Sequence, residues 1–221
     1  MKLLTQNAKM KKSGGERFAL YNFGIPAFQS ADGTRTCPNA GACAVGCYAR
    51  QGAYIWPAVK AAYEARLEAT RNAARFYLLM VDEIKTKLKT ADRQGKTLVI
   101  RIHDSGDFYS QSYFDTWIGI IQSFPRVKFY AYTKQVAMLK DVKLPANFAL
   151  NFSFGGKQDA LIDVNSMSNS RVFETSVELN KAGYTDTSED DLYAATGRGL
   201  RLIGLVYHGA KSFKNTRWGG V

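Results

Sequence analysis

The stretch Thr97-Leu-Val-Ile-Arg-Ile-His-Asp-Ser-Gly-Asp107 joins a run of aliphatic residues to a polar turn. The Val- and Ile-rich first half predicts a buried strand, and the Gly and Asp residues that follow predict a turn. From Ser110 the sequence becomes amphipathic at helical spacing, with apolar side chains on one side as far as Ile121. A strand that leads through a polar turn into a helix is the repeating unit of a parallel α/β sheet.

The same alternation continues on both sides of this unit. The aromatic-rich residues 17–28 predict a first strand or hairpin, and a long helical pattern begins at Pro57 with a bend near Asn72. Further strands are predicted at residues 127–132, 148–154, 171–175 and 202–208, with short helices at 135–140, at 159–164 and from a capping box at 188–191. The expected fold is an α/β protein built as a partial (β/α)6 TIM-like barrel with parallel strands, or as a doubly wound sheet.

Composition and charge bound the class of protein. The chain has 221 residues, 46% of them hydrophobic, which excludes a disordered polymer and suits one domain, expected over residues 17–221 after a basic lead-in at 1–16. No apolar run is long enough to span a bilayer, and residues 1–6 do not develop into a secretory signal, so we expect a cytoplasmic protein. The chain has 30 basic and 19 acidic residues, and the resulting net charge of +11 favours polyanionic partners such as nucleic acid.

All three cysteines lie in a single short segment, Cys37-Pro-Asn-Ala-Gly-Ala-Cys43-Ala-Val-Gly-Cys47, within a loop at residues 29–53 that shows little periodicity. An odd number of clustered cysteines does not make a disulfide framework. Three thiolates can instead hold a [4Fe–4S] cluster and leave one iron open to a substrate, a cofactor or another residue. Zinc bound by the three cysteines with His103 or His208 is the competing metal, although gaps of five and three residues are not typical of zinc sites.

Polar residues gather where the predicted strands end. In parallel α/β folds the loops at the carboxyl ends of the strands converge on one crevice, and the cysteine loop follows the first strand, so it opens onto the same face. We therefore predict the cysteines as metal ligands and a surrounding site of strand-end residues. The candidate catalytic residues are His103, Asp104, Asp107 and Lys134, and the candidate cofactor-binding residues are Ser105, Gly106, Asn151, Ser153 and His208.

Two family resemblances follow from these motifs. The cysteine segment, continued by Tyr48, resembles the cluster loop of radical S-adenosylmethionine enzymes, although those enzymes typically have gaps of three and then two residues. Most of the chain, including Tyr21-Asn-Phe-Gly-Ile-Pro26 and Arg101-Ile-His-Asp-Ser-Gly-Asp-Phe-Tyr109, is similar to a phage-encoded three-cysteine iron–sulfur protein family. Because that family is encoded by phages, the second resemblance implies that the protein is located in the cytoplasm of the host cell.

The radical S-adenosylmethionine resemblance implies a chemistry and a set of roles. The open iron would chelate the amino and carboxylate groups of S-adenosylmethionine, and an electron from a donor such as flavodoxin or ferredoxin would cleave the sulfonium to a 5′-deoxyadenosyl radical. Ser105, Gly106 and Asp107 occupy a place comparable to that family's glycine-rich acidic motif, with Asp104 or Asp107 accepting from an ammonium or ribose. Lys134 or Arg101 would pair with a carboxylate.

Two other functions stay open at this point. The protein could transfer electrons or sense redox state through its cluster without using S-adenosylmethionine. Alternatively, it could be a zinc-stabilised nucleic-acid-binding protein. Local structure offers plainer explanations too, because an Asp-Ser-Gly-Asp turn, a strand-end histidine and alternating polar residues on a strand also serve turns and polar core networks.

Overall fold

A single curled sheet of seven parallel strands forms a half-barrel at the centre of the protein. The computed structural model describes residues 1–190, 192–197 and 199–207. The strands are β1 (Phe18–Phe23), β2 (Thr97–Ile102), β3 (Lys128–Thr133), β4 (Phe148–Ser153), β5 (Asn169–Phe173), β6 (Thr185–Asp186) and β7 (Leu202–Val206), in the spatial order β1-β2-β3-β4-β5-β7-β6. The predicted parallel α/β class is confirmed, with a seventh strand, the two-residue β6, that the sequence pattern did not predict.

Helices connect most of the strands, as is usual in a parallel sheet. The helices are α1 (Ala8–Gly14), α2 (Pro57–Thr70), α3 (Ala73–Arg93), α4 (Gln111–Gln122), α5 (Val136–Leu139), α6 (Ser176–Lys181) and α7 (Tyr193–Thr196). Between β4 and β5, where a helix was predicted at 159–164, the connection contains only the 3-10 turn Asp159–Leu161. The predicted bend near Asn72 is confirmed as a break between α2 and α3, because the Asn72 side chain accepts a hydrogen bond from the backbone of Arg75 and caps α3. Ser110 caps α4 in the same way.

Alternate residues of each strand face two different layers. One face is covered by α3 and α4, and a large apolar core lies between, with strand residues such as Ile100 and Phe129 packed near Phe76 and Trp117. The other face carries a smaller cluster against α1 and α7, in which Tyr130 is buried. We call these the helix-covered face and the second face. Near the carboxyl ends of β3 and β4 the second face becomes polar, which is where the site begins.

The predicted basic lead-in is part of the folded unit. Leu3 and Leu4 are buried, and their backbone N–H groups both donate to the Glu83 carboxylate on α3. Thr5 forms an antiparallel bridge with Asn22, which covers the exposed edge of β1. These apolar residues explain why a segment that is mostly polar and basic nevertheless packs onto the sheet.

The cysteine loop crosses the carboxyl edge of the sheet between β1 and α2. It contains three short 3-10 turns, Ala42–Ala44, Tyr48–Arg50 and Gly52–Ile55, and otherwise irregular backbone. Within the part of the chain that the structure describes, no helix has the length and apolar character needed to cross a membrane.

Candidate iron–sulfur site

Backbone hydrogen bonds attach the cysteine loop to the end of β4. The N–H groups of Gly41 and Cys43 both donate to the carbonyl oxygen of Gly155, each at 3.1 Å. Ala40 pairs with Gly156 in an antiparallel bridge, so the loop runs beside the Gly155-Gly156 turn. A Cβ on Gly41 would lie 2.9 Å from the Gly156 carbonyl carbon, so this contact has room only for glycine. Cys43 is thereby held next to β4.

A second set of bonds ties the first cysteine to β2 and β3. Thr36 and Cys37 both donate to the carbonyl oxygen of Phe28, and the Thr36 carbonyl accepts from the backbone of Asp107 at 2.9 Å. Asn39 donates through its side chain to Gln135 at 2.5 Å, just beyond the end of β3. The loop is therefore fastened across the ends of three neighbouring strands, as its position after the first strand predicted.

The three cysteines are partly exposed, and the pKa values of Cys37 and Cys47 are shifted. Burial is the main factor that raises the pKa of Cys37, to about 12, with further increases from the negative charges of Asp107, Cys47 and Cys43. Burial also raises the pKa of Cys47, while the nearby positive charges of Lys134 and Arg50 act to lower it. A bound cation would favour the thiolate forms of Cys37 and Cys47, since a metal centre binds cysteine as thiolate.

An iron–sulfur cluster and a zinc ion require different arrangements of the same cysteines. A structural zinc ion needs four nitrogen or sulfur donors around a single point. Among the described residues, no group of three or more His, Cys, Asp or Glu side chains is arranged to hold one metal ion. An iron–sulfur cluster makes a different demand, because each cysteine binds its own iron atom and the sulfurs are spread around the cluster. The three thiols are soft donors of the kind that an iron–sulfur cluster uses, and zinc held by the same thiols with His208, which lies outside the described residues, remains the alternative.

Asp107 and Lys134 lie together beneath the loop. The buried Asp107 carboxylate accepts hydrogen bonds from the Thr133 hydroxyl at 2.7 Å and the Lys134 backbone at 2.9 Å, as well as from the backbone of Phe108. The Lys134 ammonium donates to the Ser153 hydroxyl at 2.8 Å on the second face. The structure thus brings together three predicted site residues, and Asp107 fixes the backbone from which Lys134 projects.

Asp104 lies at the centre of a cluster of tyrosines. Its Oδ2 accepts from Asn22 at 2.5 Å, from the Tyr63 hydroxyl at 2.8 Å and from the Tyr54 hydroxyl at 3.4 Å. Tyr48, which directly follows the last cysteine, donates to the Asp104 carbonyl oxygen. Burial raises the pKa of the Asp104 carboxyl, and the charge of Arg101 opposes that rise. Asp104 therefore joins the loop and α2 to the end of β2.

His103 is placed away from this polar group. Its backbone φ of 65° turns the ring into the helix-covered core, where the ring centroid is 4.7 Å from that of Phe108. Nε2 lies 2.8 Å from the Tyr113 hydroxyl, and burial lowers the pKa of the imidazole to about 3. The structure describes a neutral, packed histidine at this position.

The remaining predicted residues divide into three groups. The Ser105 hydroxyl is buried and has no hydrogen-bond partner among the described residues, while Gly106 adopts a positive φ in contact with Ile25. Asn151 is buried on the second face, where its side-chain oxygen accepts from Arg201 at 3.0 Å and its amide donates to α7. His208 lies outside the described residues.

Several residues of the site were missed by sequence reasoning. Tyr48, Tyr54 and Tyr63 converge on Asp104, and the only sequence signal was the position of Tyr48 beside a cysteine. Asp159 accepts from the backbone of both Gly155 and Gly156 at 2.8 Å, which holds the turn that anchors the loop. An acidic residue shortly after a Gly-Gly pair is a turn signal that could have revealed this role.

Comparison with known proteins gives consistent matches to one family. The family model described as gene product 88 matches residues 1–212. The Gene 88 protein of Mycobacterium phage D29 is 27% identical over 231 aligned residues, which cover 95% of this chain and 92% of that protein. The Gene 88 protein of Mycobacterium phage L5 is 30% identical over 156 residues, covering 68% of this chain and 64% of that protein. No solved structure matches the chain.

Proposed function

The chain belongs to the gene product 88 family of phage proteins, and we propose that it is a [4Fe–4S] protein with three cysteine ligands and one open iron that serves radical S-adenosylmethionine-like chemistry. Cys37, Cys43 and Cys47 would hold the cluster. The observation that carries the proposal is the fastening of the cysteine loop across the ends of β2, β3 and β4. Parallel α/β proteins commonly bind their ligands at this edge of the sheet, which supports the proposal.

The residues around the loop suit a polar, partly charged cofactor. A bound cluster would supply a single electron to a molecule coordinated at its open iron. Lys134, held by Ser153 and positioned through Asp107, presents a positive charge near Cys47 that can pair with a carboxylate. Asp104, restrained by its tyrosines, can accept a hydrogen bond from an ammonium group.

The first experiment tests the cluster. Protein purified and reconstituted without oxygen should contain about four iron and four sulfide per chain and should absorb in the visible range. Cys37→Ser, Cys43→Ser and Cys47→Ser should each lose most of the iron, because each removes one of three ligands. The control is Ala44→Ser, which adds a hydroxyl to the same loop and leaves every thiol in place. Stoichiometric zinc, or iron retained by all three serine variants, would refute the cluster.

The second experiment tests the use of the open iron. Adding S-adenosylmethionine to the reduced protein should change the EPR spectrum of the cluster and release 5′-deoxyadenosine or another cleavage product. Lys134→Gln should weaken the spectral response more than Lys85→Gln, a charge-matched change on the exposed face of α3. A cluster that is reversibly oxidised and reduced, and whose spectrum does not change with S-adenosylmethionine, would instead support electron transfer or redox sensing. It would remove the enzymatic part of the proposal.

A further inference from the structure

A cavity of about 400 Å³ lies beside the cysteine loop, on the side that faces α2. Its walls come from the turns after β1 and β2, from the segment after Cys47 and from the first two turns of α2. None of the three cysteines lines it. The volume is in the range of small-molecule binding sites. The cavity shares Tyr54 and Tyr63 with the cluster around Asp104 but contains no thiol, and a ligand bound there goes beyond the proposed function.

One buried polar group in the cavity wall has no partner. Ser105 is 5% exposed and its hydroxyl makes no hydrogen bond with any described residue. The Ser105 backbone carbonyl accepts from Ile25, which fixes the residue in the wall, and the side-chain hydroxyl beside it is buried without a partner among the described residues. A buried hydroxyl without a hydrogen bond lowers the stability of the folded protein, and a ligand that bonds to it would restore that stability.

The electrostatic environment of the cavity is positive. Lys60 and Arg50 line it, and Lys60 makes no ion pair or hydrogen bond through its ammonium group with the described residues. Glu64 is the single acidic residue among those lining the cavity, and its carboxylate already accepts from the backbone of Ala31 at 2.9 Å.

Apart from Gln29 and Ser30, the rest of the wall is apolar or aromatic. Pro26, Ile55 and the rings of Tyr54 and Tyr63 supply contact surface for an organic body, and both phenol hydroxyls are occupied by Asp104. We propose that this cavity binds a small organic anion, with a carboxylate or phosphate near Lys60 and a polar group bonded to the Ser105 hydroxyl. Positive charge, one free hydroxyl and apolar walls together select this class over a neutral or cationic ligand.

Calorimetric titration of the protein without its cluster tests this site independently of the proposed function. The probes are phenyl phosphate and benzoate, which distinguish phosphate from carboxylate, with benzyl alcohol as the neutral comparison. We expect at least one anion to bind at millimolar or lower concentration, at least about tenfold more tightly than benzyl alcohol. Cluster assembly can fail in the experiments above without affecting this result.

Variants locate the binding. Lys60→Gln should weaken binding about tenfold and Ser105→Ala about threefold, because they remove a charge and a hydrogen bond respectively. Glu64→Gln keeps an acceptor for Ala31 but removes a negative charge, so it should tighten binding, an outcome that misfolding does not produce. Lys85→Gln on α3 is the matched control and should leave the affinity unchanged.

Three results would overturn the proposal. The first is the absence of anion binding up to about 10 mM, beyond the range of a specific site. The second is equal weakening by Lys60→Gln and Lys85→Gln, which would assign the binding to the net charge of the protein. The third is displacement of the bound anion by S-adenosylmethionine, which would place both molecules in one site.

Discussion

His103 shows how one backbone angle decides the role of a side chain. Side chains alternate between the two faces along β2, and Val99 and Arg101 lie on the second face. Regular strand geometry would therefore direct His103 to the second face as well. The φ of 65° reverses this and turns the ring between Phe23 and Phe108 in the core. Sequence periodicity assumes extended backbone and cannot detect a left-handed residue at a strand end. The prediction of His103 as a site residue rested on its position at the end of a predicted strand, which does not give the direction of the ring.

The buried ring makes a pH prediction. Burial lowers the pKa of His103 from 6.5 to about 3, with Arg101 acting in the same direction, and its polar neighbour Tyr113 is uncharged at these pH values. Below pH 6.5 the unfolded chain binds a proton that the folded protein does not. The free energy of unfolding should therefore fall with decreasing pH by up to about 1.4 kcal/mol per pH unit until about pH 3.

His103→Asn isolates this effect, since asparagine tolerates positive φ. The variant loses ring packing at every pH but should show a flatter dependence between pH 7 and 4.5 in urea unfolding. Burial raises the pKa values of Asp104 and Asp107, so these two groups increase the free energy of unfolding as the pH falls. This contribution is the same in the wild-type protein and in His103→Asn. Parallel stability curves for the two proteins would show that His103 is not held neutral.

At the scale of elements, the position of the cysteine loop could be predicted from the sequence, whereas its attachment to the sheet could not. Its position follows from its place after β1, because the loops at the carboxyl ends of parallel strands share one edge. Its attachment to β4 was not predictable, since the bonds to the Gly155 carbonyl come from backbone N–H groups that any residue carries. The same limit applies to β6, a two-residue strand whose pairing with β7 depends on the order of strands in the sheet.

Gly41→Ala tests whether the attachment positions the cysteines. The new Cβ would lie 2.9 Å from Gly156 and 3.1 Å from the Gly155 oxygen that accepts both anchoring bonds. We expect the loop to detach and the iron content after reconstitution to fall to about half or less, because close backbone contacts do not accept an added methyl group.

The global free energy of unfolding should change by less than about 1 kcal/mol, since the loop holds few side chains of the main core. Gly119→Ala is the control, because its Cβ on α4 meets only Tyr77 at 3.7 Å and alanine favours a helix. Equal iron in the two variants would show that the Gly155 anchor does not position the ligands.

Across the whole molecule, charge is distributed unevenly in relation to the site. All 19 acidic residues lie outside residues 33–63, the segment that holds the three cysteines and the start of α2. The same segment contains Arg35, Arg50 and Lys60, as well as the exposed side chains of Tyr48 and Trp56. A basic segment with exposed aromatic rings has the composition of a surface that binds single-stranded nucleic acid. The net charge of +11 predicts some affinity for polyanions. We expect residues 33–63 to contribute most to that affinity.

Fluorescence anisotropy with a labelled single-stranded DNA measures this prediction. The logarithm of the affinity should fall linearly with the logarithm of the salt concentration, because binding releases counterions. The double variant Arg35→Gln with Lys60→Gln should weaken binding about tenfold, whereas Lys85→Gln with Lys89→Gln on α3, which removes the same charge, should weaken it about twofold. Equal losses in the two variants would assign the affinity to net charge alone. An affinity that does not depend on salt would exclude the electrostatic mechanism altogether.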